Sequence, residues 1–205
     1  MYLTQTELKR LINGPTDEPE RIIIRPLLDE AQIGKLSVDF RLGTDFLLSF
    51  QGRNSAIDSS NNDRQDPSSS FFQETRRHFG DTFLFHSHQT VLCSTLEYIK
   101  LPENIFLSLT MRSSYSRLGL SVSAIVEPGY CGCISMELTN VNNNAIKIPV
   151  GTRVVQARFY RLEEKMEYLD KQRKYICQVR PEVSLANGDQ DLQKLKKIKE
   201  LRESV

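Results

Sequence analysis

Between residues 22 and 162 the apolar residues come in short runs broken by turn residues, and nowhere do they approach the ~18 consecutive apolar residues a membrane-spanning helix needs. Residues 22–24, 36–42, 46–50, 83–85, 91–94 and 105–111 are such runs, rich in β-branched and aromatic side chains. Turn signals follow at 127–129, 140–144 and 149–151. The texture predicts an all-β body with minor helices. Alternation is cleanest in Ser37-Val38-Asp39-Phe40-Arg41-Leu42, which would place Val38, Phe40 and Leu42 on one buried face of a strand.

The ends read differently. Leu3, Leu8, Leu11 and Ile12 recur at helical spacing behind Thr4 and Glu7, a Thr-x-x-Glu pattern that suits a capping box, so a short amphipathic helix should open the chain. Residues 52–80 include the polar stretch GRNSAIDSSNNDRQDPSSS, too poor in apolar side chains to bury itself, and are expected to form a surface loop. Beyond Glu163 charge dominates, and Leu192, Leu195, Ile198 and Leu201 recur every three residues among lysines and glutamates. The expected organisation is one domain over 1–185, with the 52–80 loop inserted, and a polar helical tail over 186–205.

With 205 residues, one core of ordinary size is available. Lys plus Arg number 27 against 26 Asp plus Glu, a net charge of +1 that lacks the field driving nonspecific binding to DNA or RNA polymers. The opening MYLTQTELKR is polar where a signal peptide carries its apolar core, so a cytoplasmic protein with no membrane attachment is expected. Cys93, Cys131, Cys133 and Cys177 are too few for a disulfide scaffold and match no structural zinc spacing, which predicts reduced and mostly structural thiols.

Chemistry-bearing residue types concentrate in two places. Arg112-Ser113-Ser114-Tyr115-Ser116-Arg117 follows an apolar strand and packs two arginines and three serines into six positions. Forked guanidinium donors with short hydroxyl and backbone donors suit a phosphate, and the same composition equally suits a solvated polar turn. Downstream, the turn Glu127-Pro128-Gly129 leads into a strand in which Cys133, Ser135 and Glu137 alternate with Ile134, Met136 and Leu138. Glu137 is either a desolvated carboxylate tuned for proton transfer near neutral pH or an exposed acid on a polar strand face.

Together, RSSYSRLG at 112–119 and EPGYCGCISMELTN at 127–140 resemble the signatures GRSSxxRLG and DPGxxGxIxLExxN of the dCTP deaminase branch of the dUTPase superfamily. Residues 37–43 resemble that family's VDVRLG strand, and Phe83–His86 with Ser94–Glu97 and Leu101-Pro102 resemble its FxLHPGE...TLExxxLP stretch. The resemblance implies a dUTPase-like distorted β-sandwich or jelly roll, assembled as a homotrimer with active sites at the subunit interfaces. It implies hydrolytic deamination of dCTP to dUTP and ammonia, with Mg²⁺ carried on the nucleotide phosphates and dTTP as a feedback inhibitor. Arg112, Ser113, Ser114, Tyr115, Ser116 and Arg117 would grip the triphosphate, and Glu137 would be the acid/base. Arg117 would orient that carboxylate and Ser113 would help hold the water. Ser135 and Met136 would meet the base through their backbone, and Tyr168, Lys174 and Gln178 would reach sugar and phosphates from the C-terminal segment.

Two relatives of this reading stay open. Some superfamily members also cut dUTP to dUMP and pyrophosphate, using an acid where Glu127 stands, although the family usually has Asp there. A nucleotide-sensing protein of the same fold would bind without turnover. Zinc-dependent deaminases perform the same overall reaction but require HxE followed by PCxxC, and His86-Ser87-His88 with Cys131-Gly132-Cys133 supplies neither. Met111 replaces the glycine before Arg-Ser-Ser, and the 117–127 stretch is shorter than in many bacterial relatives.

Overall fold

The structure, a computed structural model, describes residues 1–15, 18–50, 56–59, 71–166, 168 and 174–203. Much of the 52–80 loop expectation therefore lies outside the described residues. Eleven strands are described: β1 (Ile23–Arg25), β2 (Val38–Ser49), β3 (Phe72–Arg76), β4 (Thr82–Phe85), β5 (Thr90–Lys100), β6 (Ile105–Met111), β7 (Leu120–Ser121), β8 (Ser123–Val126), β9 (Cys131–Asn140), β10 (Ile146–Pro149) and β11 (Arg153–Arg161). Helices α1 (Gln5–Asn13), α2 (Ser113–Ser116) and α3 (Gln190–Glu203) are minor. None of the described helices is long and apolar enough to cross a membrane.

The capping signal at the start is used as the sequence suggests. Glu7 Oε2 accepts from the backbone N–H of Thr4 at 3.0 Å and from its hydroxyl at 2.9 Å. Leu8, Leu11 and Ile12 then face the core.

Neighbouring strands run in the order β7-β9-β5-β2-β11-β6-β8, with β1 added on β5, β3 added on β2, and β10-β4 as a separate pair. Because β8 also packs against β9, the sheet curls over on itself into the expected distorted sandwich. Val38, Phe40 and Leu42 are fully buried between its faces, and Phe46 stacks on Phe83 at 3.9 Å.

Two runs read from the sequence as separate strands, 36–42 and 46–50, are a single strand in the structure. The first part of β2 pairs with β11 and the second with β5 and β3, so this strand belongs to both faces of the sandwich. It crosses at Gly43, where a Cβ would stand 2.6 Å from the Ser94 carbonyl oxygen and 3.1 Å from that of Thr95. A glycine that looks like a strand terminator is here a point of close backbone approach. The polar stretch also conceals a strand: β3 pairs with β2 from Ser49↔Phe72 to Asp45↔Arg76. Its residues are mostly exposed on both faces, so it carries no apolar alternation to detect.

Glu97 fills the break that the crossing opens. Its fully buried carboxylate accepts from Gln32 Nε2 at 2.8 Å and from the Arg41 backbone N–H at 2.9 Å, with Arg41 Nε 3.9 Å away. Two residues earlier, the Thr95 hydroxyl accepts from Ile134 N at 2.9 Å and donates to Glu97 O at 2.8 Å, bridging the shift in the β5–β9 ladder. Burial pushes the Glu97 carboxyl above its ordinary value, against the hydrogen bonds and the Arg41 charge that favour the ionised form.

Glu97→Ala should lower stability by about 2–5 kcal/mol in urea melts, because it strands the Arg41 and Gln32 donors in the interior. The pH dependence has a definite sign. A carboxyl whose folded pKa is raised stabilises the fold fully below its unfolded value, and that contribution is lost as pH rises through the folded value. The stability of the wild type relative to Glu97→Gln should therefore decrease from acid towards neutral pH, and a constant difference would refute the shift.

Candidate active site

β9 sets the geometry of the site. Its inward residues Ile134, Met136 and Leu138 are buried in the core, which obliges Cys133, Ser135 and Glu137 to point the other way. The turn into this strand is tight: Tyr130 N donates to Glu127 O at 3.3 Å, and Gly129 takes φ 75 beneath Tyr168, whose Cβ would lie 2.7 Å from an added methyl. At the far end the buried Asn140 side chain donates to the carbonyls of Phe85, His86 and Asn144, fixing the loop after the strand.

Between β8 and β9 lies a cleft of about 520 Å³. Glu127, Ser135 and Glu137 line it, with Ala124, Ile125 and Val126 from β8 and Leu92 opposite Glu137 on β5. Phe72 of β3 and the aromatic residues Tyr130, Tyr168 and Tyr175 add flat apolar surface. This combination of apolar walls with a few placed polar groups is what small-molecule sites present. Glu137 is exposed within the single chain, the second of the two readings the sequence left open for it.

The C-terminal segment forms part of the wall. Cys133 N donates to Gln178 O at 2.7 Å, and the Ser135 hydroxyl donates to Gln178 Oε1 at 2.6 Å. A Cβ at Gly132 would collide with that same Gln178 carbonyl oxygen, so the glycine is what lets the segment come down on the strand. Tyr168 packs edge-on against Tyr130 at 5.7 Å, and the Tyr130 hydroxyl donates to Cys133 O at 2.6 Å. Burial pushes the Tyr130 hydroxyl pKa upward, keeping that donor protonated. Arg180 reaches Asp45 at 3.7 Å and so ties the segment to β2.

The arginine-serine turn is α2. Arg117 N donates to Ser113 O at 3.1 Å and Ser116 N to Arg112 O at 3.0 Å, and Gly119 closes the turn at φ 96 against Asn142. Ser113, Ser114, Ser116 and Arg117 are exposed, and Tyr115 packs partly against the core. Arg112 is turned inward: its Nε lies 3.2 Å from Asp39 Oδ2 and its Nη1 donates to Arg153 O at 2.9 Å. Burial raises the Asp39 carboxyl above its ordinary value despite the opposing Arg112, Arg153 and Arg41 charges.

Of the residues singled out from the sequence, Glu127, Ser135, Glu137, Tyr168 and Gln178 meet at one cleft, and none of its described lining residues comes from α2. Lys174 donates instead to Leu185 O at 2.9 Å and pairs with Asp189. The Met136 side chain belongs to the core, and its carbonyl accepts from Cys93 Sγ at 3.7 Å. Sequence reasoning missed Phe72, Tyr130, Glu182 and Ser184 as lining residues. Tyr130 and Tyr175 stood inside recognised stretches without a role of their own, and the others carry no pattern. Among the described residues no group of three or more His, Cys, Asp or Glu side chains could hold a metal ion.

Comparison with known proteins bears on the family and the fold. The family described as dCTP deaminase-like matches residues 2–162. A Dictyoglomus turgidum protein named "dCTP deaminase, dUMP-forming" is 34% identical over 197 residues, covering 92% of this chain and 96% of that protein. A Natronomonas pharaonis protein named "dCTP deaminase" is 31% identical over 198 residues, covering 93% and 97%. The crystal structure of an Agrobacterium tumefaciens 2'-deoxycytidine 5'-triphosphate deaminase superposes with a TM-score of 0.57 at 21% identity, over 77% of this chain and 46% of that one. This chain thus spans about half the length of that structure, and the likeness speaks to fold. With the strand, turn and cleft in place and the match running almost from the first residue through β11, the chain belongs to the dCTP deaminase-like family.

Proposed function

We propose that the protein hydrolyses the exocyclic amine of dCTP, with Glu137 as the proton shuttle. The observation that carries this reading is the placement of Glu137 beside Ser135 on the wall of a cleft with three tyrosines, suited to a flat pyrimidine. Water adds to C4 of cytosine, a tetrahedral intermediate forms, and ammonia leaves: dCTP + H₂O gives dUTP + NH₃. One carboxylate can take the proton from water, deliver it to N3, and return a proton to the departing amine.

The α2 cluster enters the same site from a second copy. Ser113, Ser114, Ser116 and Arg117 are exposed, as groups awaiting a phosphate must be, yet they line no part of the Glu137 cleft of their own chain. A homotrimer with shared sites brings the two halves together, and the neighbouring copy then desolvates Glu137. Arg117 would orient the carboxylate and Ser113 hold the water, while Gln178 and Tyr168 close the cleft over the sugar. Magnesium would arrive on the triphosphate and neutralise its charge there, held by the phosphate oxygens and water rather than by side chains of the protein.

A second reading, in which dUTP goes on to dUMP and pyrophosphate, is favoured by Glu127 lining the same cleft as Glu137 and by the dUMP-forming names of the similar proteins from Dictyoglomus turgidum and Methanobrevibacter smithii.

Purified protein incubated with dCTP and Mg²⁺, with products resolved by chromatography, should release ammonia. Accumulating dUTP marks a deaminase, whereas dUMP without dUTP marks the two-step enzyme. Glu137→Gln should bind dCTP but lose on the order of 10²–10⁴ in rate, and a fully active variant would exclude the role given to Glu137. If the two-step reading holds, Glu127→Gln should convert a dUMP product into dUTP. Mixing inactive Glu137→Gln with inactive Arg117→Ala subunits should restore part of the activity through hybrid sites, and no recovery after subunit exchange would exclude sharing between copies.

A further inference from the structure

The C-terminal segment 174–185 carries a feature that the deamination chemistry does not use. Cys177 Sγ lies 2.8 Å from Cys131 Sγ, joining this segment to the first residue of β9 across 46 positions of chain. Cys177 is exposed and Cys131 half-buried, and both border a second cleft of about 710 Å³ on the far side of Tyr168. Closing the two sulfurs to a bond requires about 0.8 Å of approach, given the ~2.0 Å length of a disulfide.

Cys177 also adopts φ 53, a left-handed conformation that non-glycine residues seldom take and that persists only where surrounding contacts impose it. The position favours glycine and holds a thiol. The next residue, Gln178, makes the two hydrogen bonds to Cys133 N and Ser135 Oγ that seat the segment on β9. The thiol pair therefore adjoins the contact that decides whether the Glu137 cleft is walled or open.

We propose that Cys131 and Cys177 form a reversible intramolecular disulfide that clamps the C-terminal segment onto β9 and slows exchange through the cleft. The oxidant is a low-molecular-weight disulfide such as oxidised glutathione. One cysteine thiolate attacks it, releasing one reduced thiol and leaving a mixed disulfide. The second cysteine thiolate then displaces the other thiol, so that two protein thiols and one small disulfide become one protein disulfide and two small thiols. The effect on turnover rests on reading the cleft as the nucleotide site, whereas the bond and the clamping do not.

The test equilibrates the full chain over a range of oxidised to reduced glutathione ratios, blocks remaining thiols, and maps the cysteines by mass spectrometry. A Cys131–Cys177 cross-link is expected, lost in Cys177→Ser and reversed by dithiothreitol. Trypsin should cut after Lys174 several-fold more slowly in the oxidised chain, and dCTP turnover should fall several-fold. Reduced Cys177→Ser should match reduced wild type and ignore the oxidant. Absence of that cross-link at every ratio, pairing through Cys133 instead, or glutathione left on Cys177 alone would overturn the proposal. So would a cross-link that changes neither proteolysis nor turnover. A reduced wild type that deaminates nothing would sink the reading of the active site, while the cross-link and trypsin results would still decide the clamp.

Discussion

The crossing of β2 between the two faces of the sandwich is the constraint on which the rest of the structure depends. A strand that pairs with β11 at one end and with β5 and β3 at the other must break its ladder in between. The break exposes an amide at Arg41 that the core cannot leave unpaired. Glu97 supplies the acceptor from β5, and Gly43 supplies the absence of a side chain where the Ser94 and Thr95 carbonyls press in. A buried carboxylate is expensive to desolvate, and it persists here because each oxygen has a donor. The result is a fixed corner, which sets the register of β5 and, through Thr95 and Ile134, that of β9.

That register has chemical consequences. Strand residues alternate strictly, so anchoring Ile134 anchors Ser135 and Glu137 on the opposite face, and a slip of one position would bury the acid and expose Met136. The cleft is then finished by a piece of chain far away in sequence. Gln178 adds backbone and side-chain hydrogen bonds to β9 where Gly132 leaves room, and Tyr168 covers Gly129 and Tyr130. A wall held by a few polar contacts to a strand edge belongs to the least stable part of a structure, where local opening costs least. The division of the polar machinery between the cleft and α2 follows the same logic. Arg112 is turned inward to Asp39 and the Arg153 carbonyl, so α2 is rigidly rooted while its serines and Arg117 face outward.

Much of this was legible from residues 37–43, 94–97, 112–119 and 127–140, where patterning, turn glycines and functional side chains coincide. The alternation of Val38, Phe40 and Leu42 named buried positions correctly because each answers to a single solvent boundary. The continuity of β2 was not legible, since Gly43-Thr44-Asp45 has the composition of a turn. Neither was β3, whose mostly exposed residues carry no apolar alternation, nor the fate of Lys174, whose partners Leu185 and Asp189 are set by how the C-terminal segment folds back.

The sequence by itself established the β-rich body, the opening helix and several buried positions, and it showed which residue types could handle a phosphate or a proton, because hydrophobic periodicity and side-chain chemistry are local properties. Only the tertiary structure decided that Glu127, Ser135, Glu137 and Gln178 share one cleft, that α2 lies outside it, and that two cysteines 46 positions apart touch. Those are distances between segments remote in the chain, and they are fixed by a strand crossing and a docked segment whose balance of burial and hydrogen bonding no single stretch of sequence contains.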